Sequence, residues 1–416
     1  MHQAFSSLIK CFSFVILVFQ IVSAGAITIP TVTVGNPGNA LDSTGFGAVS
    51  YSYNIGTTEV TNAQYAAFLN EKAKSDPLFL YNTNMGFNDR GGITRSGTDG
   101  SYSYVVRNNM SNKPVNYVSW FDAIRFANWL NNGQGAGDTE SGAYTILGGT
   151  FNPSNGTSII RNPGATWFLT SEDEWYKAAY HQPAVQGGDS DNYWDYPTAT
   201  NSVPTIALAN LVGDISNPGP NVANYNQGAD WNGLDGNVTT VGSAGLLSNS
   251  FYGTSDQGGN VSEWTERQST ITATSRSSRG GAFNFVASGM QATNEATSSA
   301  TTEVFGRGFR VANVAMNSGS GADFDNDGDV DGRDFLVWQR GDSTTPLSAA
   351  DLAAWQSNYG TPFSAAVKVV PEPLGIILFV VALPELVAIL SRRQHGSMCH
   401  RKKRFMERPH MTCSEN

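Results

Sequence analysis

Thiols and imidazoles are scarce in this 416-residue chain, and the scarcity removes several chemistries at once. The three cysteines are Cys11, Cys399 and Cys413, all near the ends. The body between them therefore has no disulfide, no thiolate metal site and no cysteine nucleophile. Of the five histidines, only His181 lies between His2 and His395. A zinc or non-haem iron centre built on two or three imidazoles is thereby excluded from the body. Charge is sparse as well: 14% of residues are Asp, Glu, Lys or Arg, and the formal net charge is −10. Nucleic acid is bound by basic patches, and none occurs in the body, so nucleic acid is not an expected partner. A Ser/His/Asp site would have to use His181, and no nucleophile-elbow glycine pattern surrounds a serine. Carboxylate pairs of the glycosidase kind stay open, because their separation is a three-dimensional quantity.

What the chain does have is a globular balance, 40% hydrophobic and 11% aromatic, together with 44 glycines. Many turns, few long helices and more than one domain follow. Residues 1–26 carry Lys10, the apolar run CFSFVILVFQIV and then Ser-Ala-Gly-Ala. This is the pattern of a Sec-type signal peptide cleaved after Ala24 or Ala26.

From about Ile27 to Ser50 the Thr/Val/Gly/Pro-rich sequence reads as an extended opening strand, followed by a short strand at Tyr51 to Ile55. A helix then starts at a cap on Thr61 or Asn62, with Tyr65, Phe68 and Leu69 at i, i+3 and i+4. A polar, Gly/Asn-rich loop runs through about Asn112. PVNYVSWFDAIRFANWLNNG repeats the helix design, with Ser119 as N-cap, Asp122 in the capping-box position and Gly133 as the stop. ATWFLTSEDEWYKAAY predicts a third helix capped by Ser171 and Glu174. Its acidic first turn suits the helix dipole and reads as capping before catalysis. His181 to Ser250 shows no clear helix, and SRSSRGGAFNF and GRGFRVA read as short strands. The fold class expected is α+β.

Within this order, Phe251 to Trp264, FYGTSDQGGNVSEW, packs Asp256, Gly258, Gly259 and Glu263 between aromatics. Glycines let carbonyls turn inward beside carboxylates, the oxygen-rich set that Ca²⁺ prefers. A glycine turn with a solvated carboxylate at each end is the alternative on these residues alone.

The series EVTNAQYAAFLN, PVNYVSWFDAIRFANWL, WFLTSEDEWYKAA, YGTSDQGGNVSEW, RGGAFNF and GFRVA resembles, over about Ile55 to Val311, the formylglycine-generating enzyme family with its sulfatase-modifying-factor domain. The resemblance implies that family's variant of the C-type-lectin fold, a distorted antiparallel sheet with little regular structure. It also implies two structural Ca²⁺ sites. One would use the Asp256 and Glu263 side chains with the Gly259 and Val261 carbonyls. The other would use the Asn224 side chain, the Tyr225 carbonyl, the Asp235 side chain and the Asn237 carbonyl, with Asn210 a competing choice for the Asn. The family's catalytic cysteine pair, which binds copper, falls at about Phe285 and Met290. Neither residue supplies a thiolate, so no copper is expected and the family chemistry is expected to be absent. The iron-dependent sulfoxide synthases that share the domain would need a histidine cluster, which the chain lacks as well.

Beyond a Gly/Ser linker at 317–321, Asp323, Asp325, Asp327, Asp329, Asp331 and Asp334 are spaced as in an EF-hand-type loop, with Gly328 at the turn. The segment 322–362 resembles one half of a dockerin, a small helical Ca²⁺-binding module whose second half keeps Leu352 and Trp355 but lacks a second DxDxDG. Its folding is expected to depend on Ca²⁺. Residues 370–393, with Pro371-Glu372-Pro373, an apolar stretch and Arg392-Arg393, resemble a PEP-CTERM sorting signal, read by an exosortase-type membrane enzyme. Pro384 and Glu385 weaken the stretch as a permanent span, and residues 394–416 form a basic tail.

The function expected is that of a secreted, calcium-stabilised, non-catalytic domain (27–316) that binds glycan or another protein at the bacterial envelope or cell surface, weakly or transiently membrane-anchored at its C-terminus. The alternatives are a formylglycine-generating oxidoreductase working on sulfatase cysteines by a cysteine-free route, and a structural extracellular matrix protein.

Overall fold

The computed structural model describes residues 26–269, 272, 274–314, 322, 324, 330–343 and 345–359. The expected signal peptide up to Gly25, the linker at 317–321, the sorting segment and the basic tail lie outside them. Among the described residues no helix is long and apolar enough to cross a membrane.

In chain order the elements are β1 (Thr31–Val34), β2 (Tyr53–Gly56), α1 (Asn62–Lys72), α2 (Asn84–Phe87), β3 (Ile93–Ser96), β4 (Ser103–Val106), α3 (Trp120–Asn131), β5 (Trp167–Leu169) and α4 (Glu172–Tyr180). They continue with β6 (Thr205–Ile206), β7 (Val222–Ala223), β8 (Ser262–Gln268), β9 (Ser275–Arg279), β10 (Ala296–Ser299), β11 (Arg307–Gly308), β12 (Val311–Val314), α5 (Gly332–Arg340) and α6 (Ala349–Asn358). The mixture of helices and strands agrees with the α+β expectation. Compact units divide between Ser318 and Gly319.

The three main helices start where the sequence places them, for the reason it gives. Thr61 with Gln64, Ser119 with Asp122 and Ser171 with Glu174 each form a reciprocal capping box. Each box satisfies backbone donors that the first helical turn cannot. α1 and α3 bury their aromatic faces against one another and against Phe309, with Phe68 to Phe126 at 5.4 Å and Phe126 to Phe309 at 5.4 Å between ring centroids.

Two four-stranded sheets hold the first unit together. One has the order β1-β2-β12-β5, antiparallel throughout, so the last strand of the unit lies inside the sheet. The other has the order β10-β9-β8-β11, in which β11 runs parallel to β8. The loop expected up to Asn112 contains the short α2 and the β3–β4 hairpin, paired from Ile93↔Val106 to Ser96↔Ser103. The hairpin is hidden because β3 (ITRS) and the turn are rich in Thr, Ser and Gly, while β4 (SYVV) runs its apolar residues together, so neither strand shows apolar alternation. From His181 to Ser250 the backbone is irregular apart from β6, β7 and two 3₁₀ turns.

In the second unit α5 is capped by Asp331 and α6 follows it, with Phe335 4.7 Å from the Trp355 ring.

Candidate calcium loop and the position of the missing thiolates

Four left-handed residues shape the loop before β8: Gly253 (φ 90°), Asp256 (φ 59°), Gly259 (φ 85°) and Asn260 (φ 55°). Gly258, which the sequence marks as a second turn glycine, is not among them; it sits small against Pro197, whose ring lies 3.3 Å from where a Cβ would stand. Gly259 is required on two counts. Its φ favours glycine, and a Cβ there would lie 2.2 Å from the Asn224 carbonyl oxygen. Its N–H donates to Gly280 O at 2.7 Å, so the 224, 259 and 280 segments meet at this point.

Glu263 is fully buried and is held by a cation of the protein itself. Arg310 Nε donates to Oε2 and Nη2 to Oε1, each at 2.6 Å, and Trp175 Nε1 adds 2.7 Å to Oε2. Asp256 Oδ2 accepts the Gly242 N–H at 2.5 Å. A third carboxylate joins them: Glu59, 1% exposed, accepts Asn260 Nδ2 at 3.0 Å on Oε1, while Oε2 is buried with no partner. Burial first, then the Asp256 and Glu263 charges, pushes Glu59 well above the carboxylate range, and burial pushes Asp256 up to about 6. Three carboxylates face one guanidinium here, so ionising all of them would leave an excess of two negative charges, which burial resists by favouring the neutral form of Glu59 and which a bound cation would relieve. An orphaned buried oxygen beside uncompensated negative charge suits a divalent, oxygen-seeking cation. Glu263 contributes least to that fit, since Arg310 and Trp175 already occupy its oxygens. Among the described residues no three His, Cys, Asp or Glu side chains converge as a ligand group, so such a cation would draw on backbone carbonyls.

The second expected set is brought together in part. Asn224 and Asn237 are buried side by side, with Asn224 Nδ2 donating to Asn237 O at 2.9 Å. Asn224 Oδ1 has no partner. Asp235 is exposed, and its backbone carbonyl accepts Arg90 Nη2 at 2.9 Å. The Tyr225 carbonyl closes a turn with the Gly228 N–H at 3.2 Å. Asn210 caps its own turn, accepting the Val212 and Asp214 N–H groups, and stands apart from Asn237 in its bonding.

Phe285 and Met290 have opposite environments. Phe285 is 38% exposed, and its carbonyl accepts the Asn226 N–H at 2.7 Å. Met290 is fully buried among Tyr196, Ala223 and Tyr225. A thioether in an apolar cluster and a phenyl ring at the surface offer packing, with no ionisable sulfur.

Of the EF-hand-type loop, Asp323, Asp325, Asp327 and Asp329 lie outside the described residues. Asp331 accepts the Arg333 N–H at 2.7 Å, and the fully buried Asp334 accepts the Phe324 and Asp331 N–H groups at 2.6 and 2.8 Å. Both therefore act at the start of α5.

A second charged network was not anticipated. Arg161 donates to Glu174 through Nη1 (2.9 Å) and Nη2 (2.6 Å), and to Glu266 through Nε and Nη2 (both 2.8 Å). Its guanidinium lies 3.6 Å over the Phe168 ring. Tyr144 and Tyr51 hydroxyls bond to Glu266 and Glu174 respectively. The signal in the sequence is one of context: Arg310 and Arg161 are lone cations in GFRVA and IIRN, and Glu59 opens EVTN, two residues before the Thr61 cap of α1.

A family model of the sulfatase-modifying factor enzyme 1-like domain matches residues 44–315. Among solved structures, Treponema denticola variable protein 1 is 17% identical with a TM-score of 0.40, covering 68% of this chain and 94% of its own. CarF is 22% identical with a TM-score of 0.43, covering 69% and 98%. PvdO from Pseudomonas aeruginosa is 14% identical with a TM-score of 0.34, covering 68% and 91%. No curated protein sequence matches the chain.

Proposed function

The chain belongs to the sulfatase-modifying factor enzyme 1-like family, and from that premise we propose that it is a secreted, calcium-stabilised, non-catalytic member that acts by binding at the bacterial cell envelope. The observation that carries the reading is the pair at 285 and 290. Where the resemblance expects thiolates that bind copper, a half-exposed phenyl ring and a buried thioether stand. The body contains no other cysteine to take their place.

Calcium is supported by the orphaned Glu59 Oε2 and the excess negative charge beside Arg310. In that role Asp256, with the Gly259 and Val261 carbonyls, would hold the ion, and Glu59 would balance its charge. The ion would supply cohesion to an irregular loop, with no reactive step. Secretion is supported by the signal-like residues 1–26, and envelope sorting through an exosortase-type enzyme by the Pro-Glu-Pro segment at 371–373. The half-dockerin, with calcium on its acidic loop, would add a second, independent binding unit.

The test is incubation of the purified protein with copper, oxygen and a sulfatase-type cysteine peptide, with mass spectrometry of the peptide. The expected result is unchanged cysteine. Formylglycine formation overturns the reading in favour of an oxidoreductase working by a cysteine-free route.

A further inference from the structure

Two cavities of 370 and 480 Å³ open on either side of Arg161 and share it as a wall. The first is bordered by Phe46, Ile160, Asp173, Glu266 and Arg267, and the second by Tyr51, Phe168 and Val314. The geometry points to a single groove that binds a linear neutral oligosaccharide, with Arg161 and Glu266 as a hydrogen-bonding ridge midway along it and the buried Glu174 fixing Arg161 from beneath. The assignment rests on the binding reading above and gives it a ligand class and a place.

Size is the first argument, since each cavity falls in the range of about 300–1,000 Å³ typical of small-ligand sites. Charge selects the class. Arg161 is paired with Glu174 and Glu266, Arg267 with Glu295 at 3.2 Å, and the bordering Glu172 with Arg279. An anionic ligand would have to break these pairs and face Asp173, which has no ion pair among the described residues, while a cationic one would find that single carboxylate as its only unpaired partner. Hydrogen-bonding capacity nevertheless remains on both sides. Asp173 gives Oδ1 to the Gly47 N–H at 2.8 Å, which leaves Oδ2 as an acceptor. Arg267 uses Nε on Glu295, which leaves its terminal amino groups as donors. Hydroxyl groups donate and accept, so a polyol uses both kinds of site without adding charge.

The apolar surfaces complete the match. Tyr51 is 47% exposed, and its hydroxyl is pinned to Glu174 Oε1 at 2.6 Å, so the ring is presented in a fixed position. Phe46 lies beneath Arg267, 4.5 Å from ring centroid to guanidinium carbon, and Ile160 is 77% exposed. Ring faces with polar neighbours suit the C–H face and hydroxyl rim of a sugar.

An extended peptide is the competitor, because β5 borders the groove at the edge of its sheet. Most of its outward backbone groups are already engaged, however. Leu169 N donates to Tyr144 Oη at 2.9 Å, Leu169 O accepts Arg161 Nη2 at 3.1 Å, and Trp167 N donates to Asn131 Oδ1 at 3.3 Å. Strand addition needs those groups free.

The test is a printed array of neutral and acidic glycans probed with the full chain, followed by calorimetric titration of short and long forms of the neutral glycans that bind. Arg267→Ala and Tyr51→Ala alter one cavity each, and Ile160→Ser is a second variant for the first cavity. Tyr51→Phe keeps the ring. A long neutral ligand is expected to lose about tenfold in affinity with either alanine variant. A short one is expected to respond to only one of them, and Tyr51→Phe to stay near wild type. Thermal melts confirm that each variant is folded. A silent neutral array, a preference for acidic glycans or basic peptides, or affinities indifferent to all three truncations overturns the groove. Formylglycine formation in the copper experiment overturns the underlying binding reading, so the two failures are distinguishable.

Discussion

Replacing Arg310 by Met tests whether the centre beside β8 is held by charge. Arg310 is fully buried and donates twice to Glu263, and to the carbonyls of Gly56 (2.9 Å), Thr57 (3.3 Å) and Ser255 (2.9 Å). Met fills much of the same volume and supplies none of these bonds. Its arrival leaves Glu263, Glu59 and Asp256 without the guanidinium, and takes a donor from three main-chain carbonyls, of which Thr57 O keeps the Ser255 N–H at 2.7 Å. Removing one partner of a buried pair costs about 3–5 kcal/mol, because the remaining charge stays buried and unpaired. Against a total of about 5–15 kcal/mol, that is a large fraction of the stability. For a unit of this size it corresponds to a melting temperature lower by about 10 °C. The assay is urea unfolding followed by tryptophan fluorescence in calcium-containing buffer. Glu263→Gln alone is also expected to destabilise, because it strands the guanidinium. The double variant should be less damaged than the sum of the two, with a coupling of about 2 kcal/mol. An Arg310→Met protein within about 1 kcal/mol of wild type, or strict additivity in the double variant, refutes the reasoning.

Chelation tests the metal. Calorimetry with EGTA should lower the melting of the unit that contains Asp256 and Asn224, since a ligand held only by the folded state stabilises it; a melt unmoved by chelator removes calcium from the proposal. A second test concerns Asp122 and Glu303. Burial pushes Asp122 up to about 7 and Glu303 up to about 8, the latter with help from the Asp122 charge. Their folded values lie above the unfolded ones, so the stability they contribute is complete below about pH 4 and is lost as the pH rises through 7 to 8. Glu303→Gln should flatten that decline in urea titrations across pH, and an unchanged slope would show that the pair does not titrate as stated.

Much of the framework was legible because it rests on local rules. The capping boxes of α1, α3 and α4 are four-residue statements, and their apolar faces follow helical spacing. The ordered motifs carried the family, which the match over 44–315 shows. The centre beside β8 was legible only by half. Asp256 and Glu263 stand in one motif, but their partners Glu59, Arg310 and Trp175 come from distant stretches, and no spacing rule links them. The same holds for Arg161, whose two carboxylates lie 13 and 105 residues away. Gly258 misled for a different reason: the strain it was expected to relieve is taken up by Asp256 and Asn260, in left-handed conformations that short polar side chains tolerate.

The interior place of β12 sets the order in which the chain can mature. β12 is the last strand of its unit, yet it lies between β2 and β5. A growing chain that has not reached Val314 has two strand edges exposed and no Arg310 to join the turn after β2 to the loop before β8. Neither the first sheet nor the buried ion pair can close until the unit is almost fully synthesised. Such long-range closure is slow compared with local helix formation. The nascent unit therefore depends on protection from edge-to-edge association while it waits. For the export proposed above, in which the chain would cross a membrane unfolded, the same delay would be an advantage, since it postpones the point after which threading is no longer feasible.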